Sequence, residues 1–221
     1  MSAQGALRHG DGAEFDLIET MRWEPEAGFV RLERHLARLY GSANALGFAC
    51  DPTRIGETMT NAVGNVAAAQ RVRLLLSPNG DVTVSAQPFE PLPPDKVWTL
   101  RLAGARLDST DPLLRHKTSR RTSYMKARSE FPVPAADEVI LLNERGEVCE
   151  GTITNIFVEA GDGMLLTPAV ACGLLPGILR AELLDDGRAR EAVLTADDLT
   201  DRRRVFVGNS LRGLIPGWLG G

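Results

Sequence analysis

Apolar residues fall at helical spacing over residues 32–46, where Leu32, Leu36, Leu39, Ala43 and Leu46 form one stripe and Gly47 follows as a terminator. This pattern predicts the clearest helix of the chain. Upstream, residues 15–22 read as a short strand, and the turn at 24–28, with Pro25 inside it, leads to a brief apolar return at Phe29 and Val30, which predicts a hairpin. Downstream, Asp51 before Pro52 has the form of an N-cap followed by proline at the first helical position, and it opens a second helix, rich in small residues, to about residue 69. Residues 71–76 and 82–87 alternate or run apolar on either side of Asn79-Gly80, a strong turn pair, and predict a second hairpin. Pro88, Pro91, Pro93 and Pro94 then hold the chain extended before a strand at 97–102.

Residues 103–115 carry Gly104, Asp108, Asp111 and Pro112 and have no clear period, which places a connection between two domains there. The expected division is an N-terminal α+β domain over 1–104, a connection over 105–116 and a C-terminal domain over 117–221. That second part opens with a basic segment at 115–128. Strand patterns follow at 138–142 and 148–158 with a turn at 143–146 between them, then a helix entered through Leu174-Leu175-Pro176-Gly177 and running to about 185, then late strands at 205–207 and 214–215. Meandering strands with few helices argue an α+β fold rather than a doubly wound sheet. No internal repeat is visible.

Length and composition narrow the class without choosing a function. The 221 residues suit one large domain or two small ones, and 43% hydrophobic with 24% charged residues is a globular balance. With 25 basic and 29 acidic side chains the net charge of −4 gives no global footprint for nucleic acid or an anionic membrane. No apolar run approaches the ~18 residues of a membrane span, and the N-terminus lacks a cationic start followed by an apolar stretch, so a cytoplasmic protein is expected. Cys50, Cys149 and Cys172 are scattered, and His9, His35 and His116 form no HExxH, so neither a disulfide framework nor a metal site is expected. GxGxxG, GxxxxGK[ST] and GxSxG are all absent.

What remains is a set of polar residues in apolar or tight surroundings: Arg38 off the stripe of its helix, Lys117, Glu150 before Gly151, and Ser210 beside Gly208-Asn209. Lys117 lies among Arg115, Arg120, Arg121, Lys126 and Arg128 with no acid from 115 to 128. That segment reads as a solvated basic helix face, as surroundings that lower a lysine pKa for Schiff-base chemistry, or as a nucleic-acid patch. Glu150 reads as a strand-edge residue or as a carboxylate that pairs with a cationic ring nitrogen. The junction at 174–180 reads as simple capping or as free amides that bind phosphate.

In order along the chain, Arg34-His35-Leu36-Ala37-Arg38-Leu39, His116-Lys117-Thr118, the stretch from Asp137-Glu138 to Asn155-Ile156-Phe157, Thr167-Pro168, the run 175–180 and Asn209-Ser210 resemble the class IV pyridoxal-phosphate aminotransferase family. The resemblance implies the two-domain fold-type IV architecture, with a small sandwich-like α/β domain and a larger β-rich, pseudo-barrel domain. It implies pyridoxal 5'-phosphate bound as a Schiff base to Lys117, which also moves protons, with Glu150 keeping the pyridine nitrogen protonated. Arg38, the amides of Ile178 and Leu179, and Ser210 then resemble the phosphate cup, and Tyr124 lies near the cofactor's phenolic oxygen, two positions further from the lysine than in the branched-chain enzymes. Within the family, Gly173-Leu174-Leu175-Pro176-Gly177, Asn143-Glu144-Arg145-Gly146 and Asn209-Ser210-Leu211-Arg212-Gly213 look most like aminodeoxychorismate lyases. That similarity implies conversion of 4-amino-4-deoxychorismate to p-aminobenzoate and pyruvate in folate biosynthesis, with Thr20 near the reacting substrate and Thr152 and Arg212 as substrate contacts. It further implies a homodimer and a functional link to aminodeoxychorismate synthase. The alternatives are a branched-chain or D-amino acid aminotransferase of the same family and, more distantly, a non-catalytic basic-patch binding protein.

Overall fold

The computed structural model describes residues 15–161, 163–200 and 203–220. His9 lies outside them. The chain forms two units, one from the part up to Glu90 together with His116–Arg120, the other from Pro91–Arg115 and the part from Arg121 onward.

In the first unit, strands β1 (Leu17–Glu24), β2 (Gly28–Phe29), β3 (Gln70–Leu76) and β4 (Val82–Pro88) form an antiparallel sheet in the order β2, β1, β3, β4. The period of two sorts its side chains. Leu17, Glu19 and Met21 of β1 stand opposite Leu76, Leu74 and Val72 of β3 on the buried face, and Ile18, Thr20 and Arg22 stand opposite Leu75, Arg73 and Arg71 on the other. Helix α1 (Leu32–Leu46) packs on β1, and helix α2 (Pro52–Val63) packs on β3 and β4. The predicted terminator Gly47 has φ 73°, and its N–H donates to the Ala43 carbonyl, a left-handed stop that glycine adopts without strain. The Asp51 carboxylate caps α2 by accepting from the Thr53 and Arg54 amides. That helix ends at Val63 instead of running to 69, because Gly64 turns to positive φ where the apolar spacing stops.

The second unit is an eight-stranded curled sheet in the order β10 (Ala189–Ala192), β9 (Leu165–Pro168), β8 (Asn155–Glu159), β11 (Val205–Asn209), β12 (Gly213–Leu219), β5 (Trp98–Leu107), β6 (Glu138–Asn143) and β7 (Val148–Gly151). Strand β5 runs parallel to both β6 and β12 and continues to Leu107, into the stretch whose pattern predicts a connection. It lies with the larger sheet, although its place in the chain follows the N-terminal hairpins. Strand β6 is buried at every position: Ile140 packs with Leu100, Ile156, Val207 and Ile215, while Val139 and Leu141 pack with Ala103, Leu107 and Ala127 beneath helix α3 (Thr122–Glu130). Its apolar run is continuous because both faces are covered. On another part of the sheet Phe157, Leu179 and Leu183 pack together under helix α4 (Ile178–Asp185).

Candidate active site

Lys117 is not on a helix. The basic segment divides into a 3-10 turn at Pro112–Arg115, an extended stretch at 116–120, and α3. In the extended stretch the Lys117 carbonyl accepts from the Ile18 amide at 2.7 Å, the Ser119 amide donates to the Asp16 carbonyl at 2.9 Å, and His116 Nδ1 lies 2.9 Å from Ser42 Oγ. The lysine's backbone is thus fixed to the edge of β1 beside Ile18, two residues from Thr20. Two of the segment's arginines serve internal backbone: Arg121 donates to the Thr152 carbonyl and Arg128 to the Ala136 carbonyl at 2.7 Å. A continuous basic face is therefore not what this segment presents.

Arg38 projects from α1 onto Glu19, donating from Nε to Oε1 at 2.8 Å and from a terminal nitrogen to Oε2 at 2.7 Å, while His35 Nδ1 lies 2.6 Å from Oε2. Burial alone would push the Glu19 carboxyl up. The Arg38 charge and the bonds from His35 and Arg38 outweigh it and hold the carboxyl at about 2. Glu19 orients Arg38, a role that needed the strand-to-helix contact to be seen. Across the sheet, Thr20 faces Arg73, with Arg22 and Arg71 the next pair along. This face carries Arg22, Arg71 and Arg73 beside a hydroxyl, with Arg22 paired to Glu24 at 3.0 Å and Arg71 donating to Gln87 at 2.7 Å; guanidinium groups suit carboxylates, and no sequence motif marks Arg71 or Arg73.

In the second unit Glu150, 5% exposed, sits on β7 opposite Leu141. Its Oε1 accepts from the Tyr124 hydroxyl at 2.7 Å and from the Leu175 amide at 3.1 Å. Tyr124 is thus engaged with the carboxylate. Burial, then the adjacent Glu150 charge, push its hydroxyl far above its ordinary range, so it is a neutral donor. Burial and Glu150 likewise push the Cys149 thiol up, disfavouring the thiolate. The predicted strand at 148–158 is broken after Gly151 by a buried carboxylate. Glu138 Oε1 accepts from the Val139 amide (2.9 Å), the Thr152 amide (3.0 Å) and the Thr152 hydroxyl (2.5 Å), and Oε2 accepts from the Ile153 amide (3.1 Å) and the Thr154 hydroxyl (2.8 Å). The Thr152 hydroxyl therefore faces Glu138. A Cβ on Gly151 would lie 2.4 Å from Thr154 Oγ1 and 2.7 Å from Glu138 Oε2, so only glycine fits beside Glu150.

The Leu175 amide that meets Glu150 belongs to the loop leading into α4, and its carbonyl accepts from Asn155 Nδ2 at 2.9 Å. Helix α4 starts at Ile178 behind Gly177 with no side-chain cap, so the first amides, those of Ile178 and Leu179 among them, have no acceptor within the helix. A Cβ on Gly177 would lie 1.9 Å from Asn155 Oδ1, and one on Gly208 2.9 Å from Leu179 Cδ2. Those contacts press the start of α4 against the ends of β8 and β11. Ser210, 7% exposed, follows β11 in a turn where Asn209 Oδ1 accepts from the Leu211 and Arg212 amides at 3.1 and 3.0 Å. The larger unit thus brings together Tyr124, Glu150, the α4 amides and the turn bearing Ser210 and Arg212, while Lys117, Arg38 and Thr20 belong to the smaller one. Among the described residues no group of three His, Cys, Asp or Glu side chains could hold a metal ion.

The family model for class IV amino-transferases matches residues 16–217, and the chain belongs to that family. Over 213 residues the chain is 31% identical to the "Putative aminodeoxychorismate lyase" of Schizosaccharomyces pombe, covering 93% of this chain and 90% of that protein. It is 26% identical to the "Probable branched-chain-amino-acid aminotransferase" of Thermotoga maritima, covering 93% and 76%. Among solved structures, a "Putative amino-acid aminotransferase" from Mesorhizobium loti is 64% identical and superposes with a TM-score of 0.91, covering 93% of this chain and 100% of that one. The architecture is that of the fold-type IV pyridoxal-phosphate enzymes. The residues fit that cofactor: a buried carboxylate held by two donors suits a protonated ring nitrogen, and a helix start crowded against Asn155 and closed to any side chain at Gly177 suits a phosphate approached by backbone amides.

Proposed function

We propose that the protein is a pyridoxal-phosphate lyase that converts 4-amino-4-deoxychorismate to p-aminobenzoate and pyruvate. The observation that carries this reading is the Thr20 face of the small sheet, where Arg22, Arg71 and Arg73 stand together. The lyase substrate has two carboxylates, whereas a branched-chain amino acid has one carboxylate and an apolar side chain that such a face would not attract. The likeness to the Schizosaccharomyces pombe protein over nearly the whole of both chains supports the same choice.

When bound, pyridoxal 5'-phosphate supplies a ring that withdraws electrons from the substrate carbon bearing nitrogen. In this reading Lys117 Nζ holds the cofactor, is displaced by the substrate amine, and then takes the proton from that carbon. Glu150 holds a proton at the ring nitrogen. Arg38, the Ile178 and Leu179 amides and Ser210 bind the phosphate, and the arginines beside Thr20, with Arg212, orient the carboxylates. Loss of the proton and of the enolpyruvyl group leaves an aromatic ring, and neither water nor a keto acid is consumed. The reading extends to a cytoplasmic homodimer supplied by aminodeoxychorismate synthase.

The name of the Mesorhizobium loti structure favours a second reading, an aminotransferase in which the same residues serve a keto-acid acceptor. Dependence on an added keto acid separates the two. The lyase makes p-aminobenzoate at the same rate with and without 2-oxoglutarate, whereas transfer of the amino group from an amino acid to 2-oxoglutarate, with no p-aminobenzoate formed, would choose the aminotransferase.

A further inference from the structure

We propose that Tyr124 is a positioning residue for Glu150, holding the carboxylate that faces the ring nitrogen rather than reaching the cofactor's phenolic oxygen. The inference rests on the assignment of Glu150 given above. Three observations carry it. The Tyr124 hydroxyl donates to Glu150 Oε1 at 2.7 Å, a charge-assisted bond that favours the ionised carboxylate. The same oxygen takes the Leu175 amide at 3.1 Å, so Tyr124 from α3 and the loop before α4 clamp one carboxylate oxygen from two elements. The ring of Tyr124 is itself fixed: the Arg121 guanidinium lies 4.5 Å from its centre while donating to the Thr152 carbonyl, two residues beyond Glu150. Arg121, Tyr124, Glu150 and Thr152 therefore form a closed circuit around the end of β7. The Tyr124 hydroxyl stays protonated because burial and Glu150 both oppose its ionisation, with Arg121 acting the other way.

The role makes a coupling prediction that general structural support does not. Tyr124→Phe keeps the ring, its volume and the Arg121 stacking, and removes only the donor to Glu150. Affinity of the cofactor-free protein for pyridoxal 5'-phosphate, read by quenching of protein fluorescence, should weaken about tenfold, the scale of one charge-assisted hydrogen bond, and the visible band of the bound cofactor should shift. Glu150→Gln should weaken binding and shift the band as well, and the double variant should match Glu150→Gln alone, because Tyr124 acts through Glu150. The Tyr124→Phe loss should also persist with a pyridoxal 5'-phosphate analogue that lacks the 3-hydroxyl. Wild-type binding and spectrum in Tyr124→Phe, a loss that adds in full to that of Glu150→Gln, or a loss that vanishes with the analogue would each overturn the proposal. If Glu150→Gln is itself silent in both readouts, the assignment of Glu150 falls and takes this inference with it.

Discussion

Replacing Glu138 by glutamine changes almost no volume, yet the geometry assigns it a large cost. The carboxylate accepts five hydrogen bonds, three at Oε1 and two at Oε2, and it is fully buried. Glutamine turns one of those oxygens into a donor. Placed at Oε1, the new NH2 meets two backbone amides that cannot turn away. Placed at Oε2, it meets the Ile153 amide and the Thr154 hydroxyl, and the hydroxyl can rotate to accept. The second arrangement is the less costly, leaving the Ile153 N–H and one N–H of the new amide without acceptors and four bonds that are no longer charge-assisted. An unsatisfied buried donor costs about 1–3 kcal/mol and bonds to a charged partner exceed neutral ones, so Glu138→Gln should destabilise the protein by about 2–4 kcal/mol. With a urea slope of ~2 kcal/mol/M, the unfolding midpoint of the cofactor-free protein falls by about 1–2 M at constant slope. A change under ~0.5 kcal/mol would rule out this role for Glu138, since it would mean that the donors at 152–154 find other acceptors.

Other consequences follow from the same geometry. Glu19 is held at about 2 against an ordinary 4.5; because the folded value is the lower, its stabilisation is complete above about pH 4.5 and is lost as pH falls toward 2. Over that window the wild type should lose ~3 kcal/mol more than Glu19→Gln, and equal declines in the two proteins would contradict the pairing. Lys117→Ala should abolish the covalent cofactor adduct trapped by borohydride, and persistence of the adduct at another lysine would remove Lys117 from the site. Gly177 has φ −68°, which alanine tolerates, so the penalty of Gly177→Ala comes only from its Cβ against Asn155 Oδ1 at 1.9 Å. Displacing Asn155 or the first turn of α4 should cost about 1–3 kcal/mol and weaken pyridoxal-phosphate binding at least about tenfold, and unchanged affinity would argue against a phosphate cradle there.

Much of the fold could be read from local pattern because its devices are local. The α1 stripe ending at Gly47, the Asp51-Pro52 cap and the Asn79-Gly80 hairpin each act within a few residues, and each stands as predicted. The errors arose where distant groups intervene. Strand β7 ends after Gly151 because Glu138, thirteen positions earlier in the chain, collects the donors of 152–154, and nothing near Thr152 signals that. Strand β5 extends to Leu107 because β6 and β12 supply its hydrogen bonds from far along the chain. For the candidate site, the resemblance along the sequence singles out Lys117, Glu150 and the α4 start as candidates, but not their partners. Arg38 was visible as a cation off its stripe, whereas Glu19, the carboxylate that orients it, read as one more residue of a strand. The family resemblance sets Tyr124 near the cofactor's phenolic oxygen despite its longer spacing from Lys117, and the partner its hydroxyl meets, Glu150, lies 26 positions on. Arg71 and Arg73 alternate with buried Val72 and Leu74 in an ordinary strand pattern, and only the register with β1 sets them beside Thr20.

One reaction mixture decides whether the protein is a lyase. The protein loaded with pyridoxal 5'-phosphate is given enzymatically generated 4-amino-4-deoxychorismate with no keto acid, and p-aminobenzoate and pyruvate are followed together. A lyase releases them in equal amounts, at a rate lost in Lys117→Ala. A protein whose cofactor is trapped on Lys117 by borohydride but which forms neither product would contradict the lyase reading, leaving the fold and the cofactor in place.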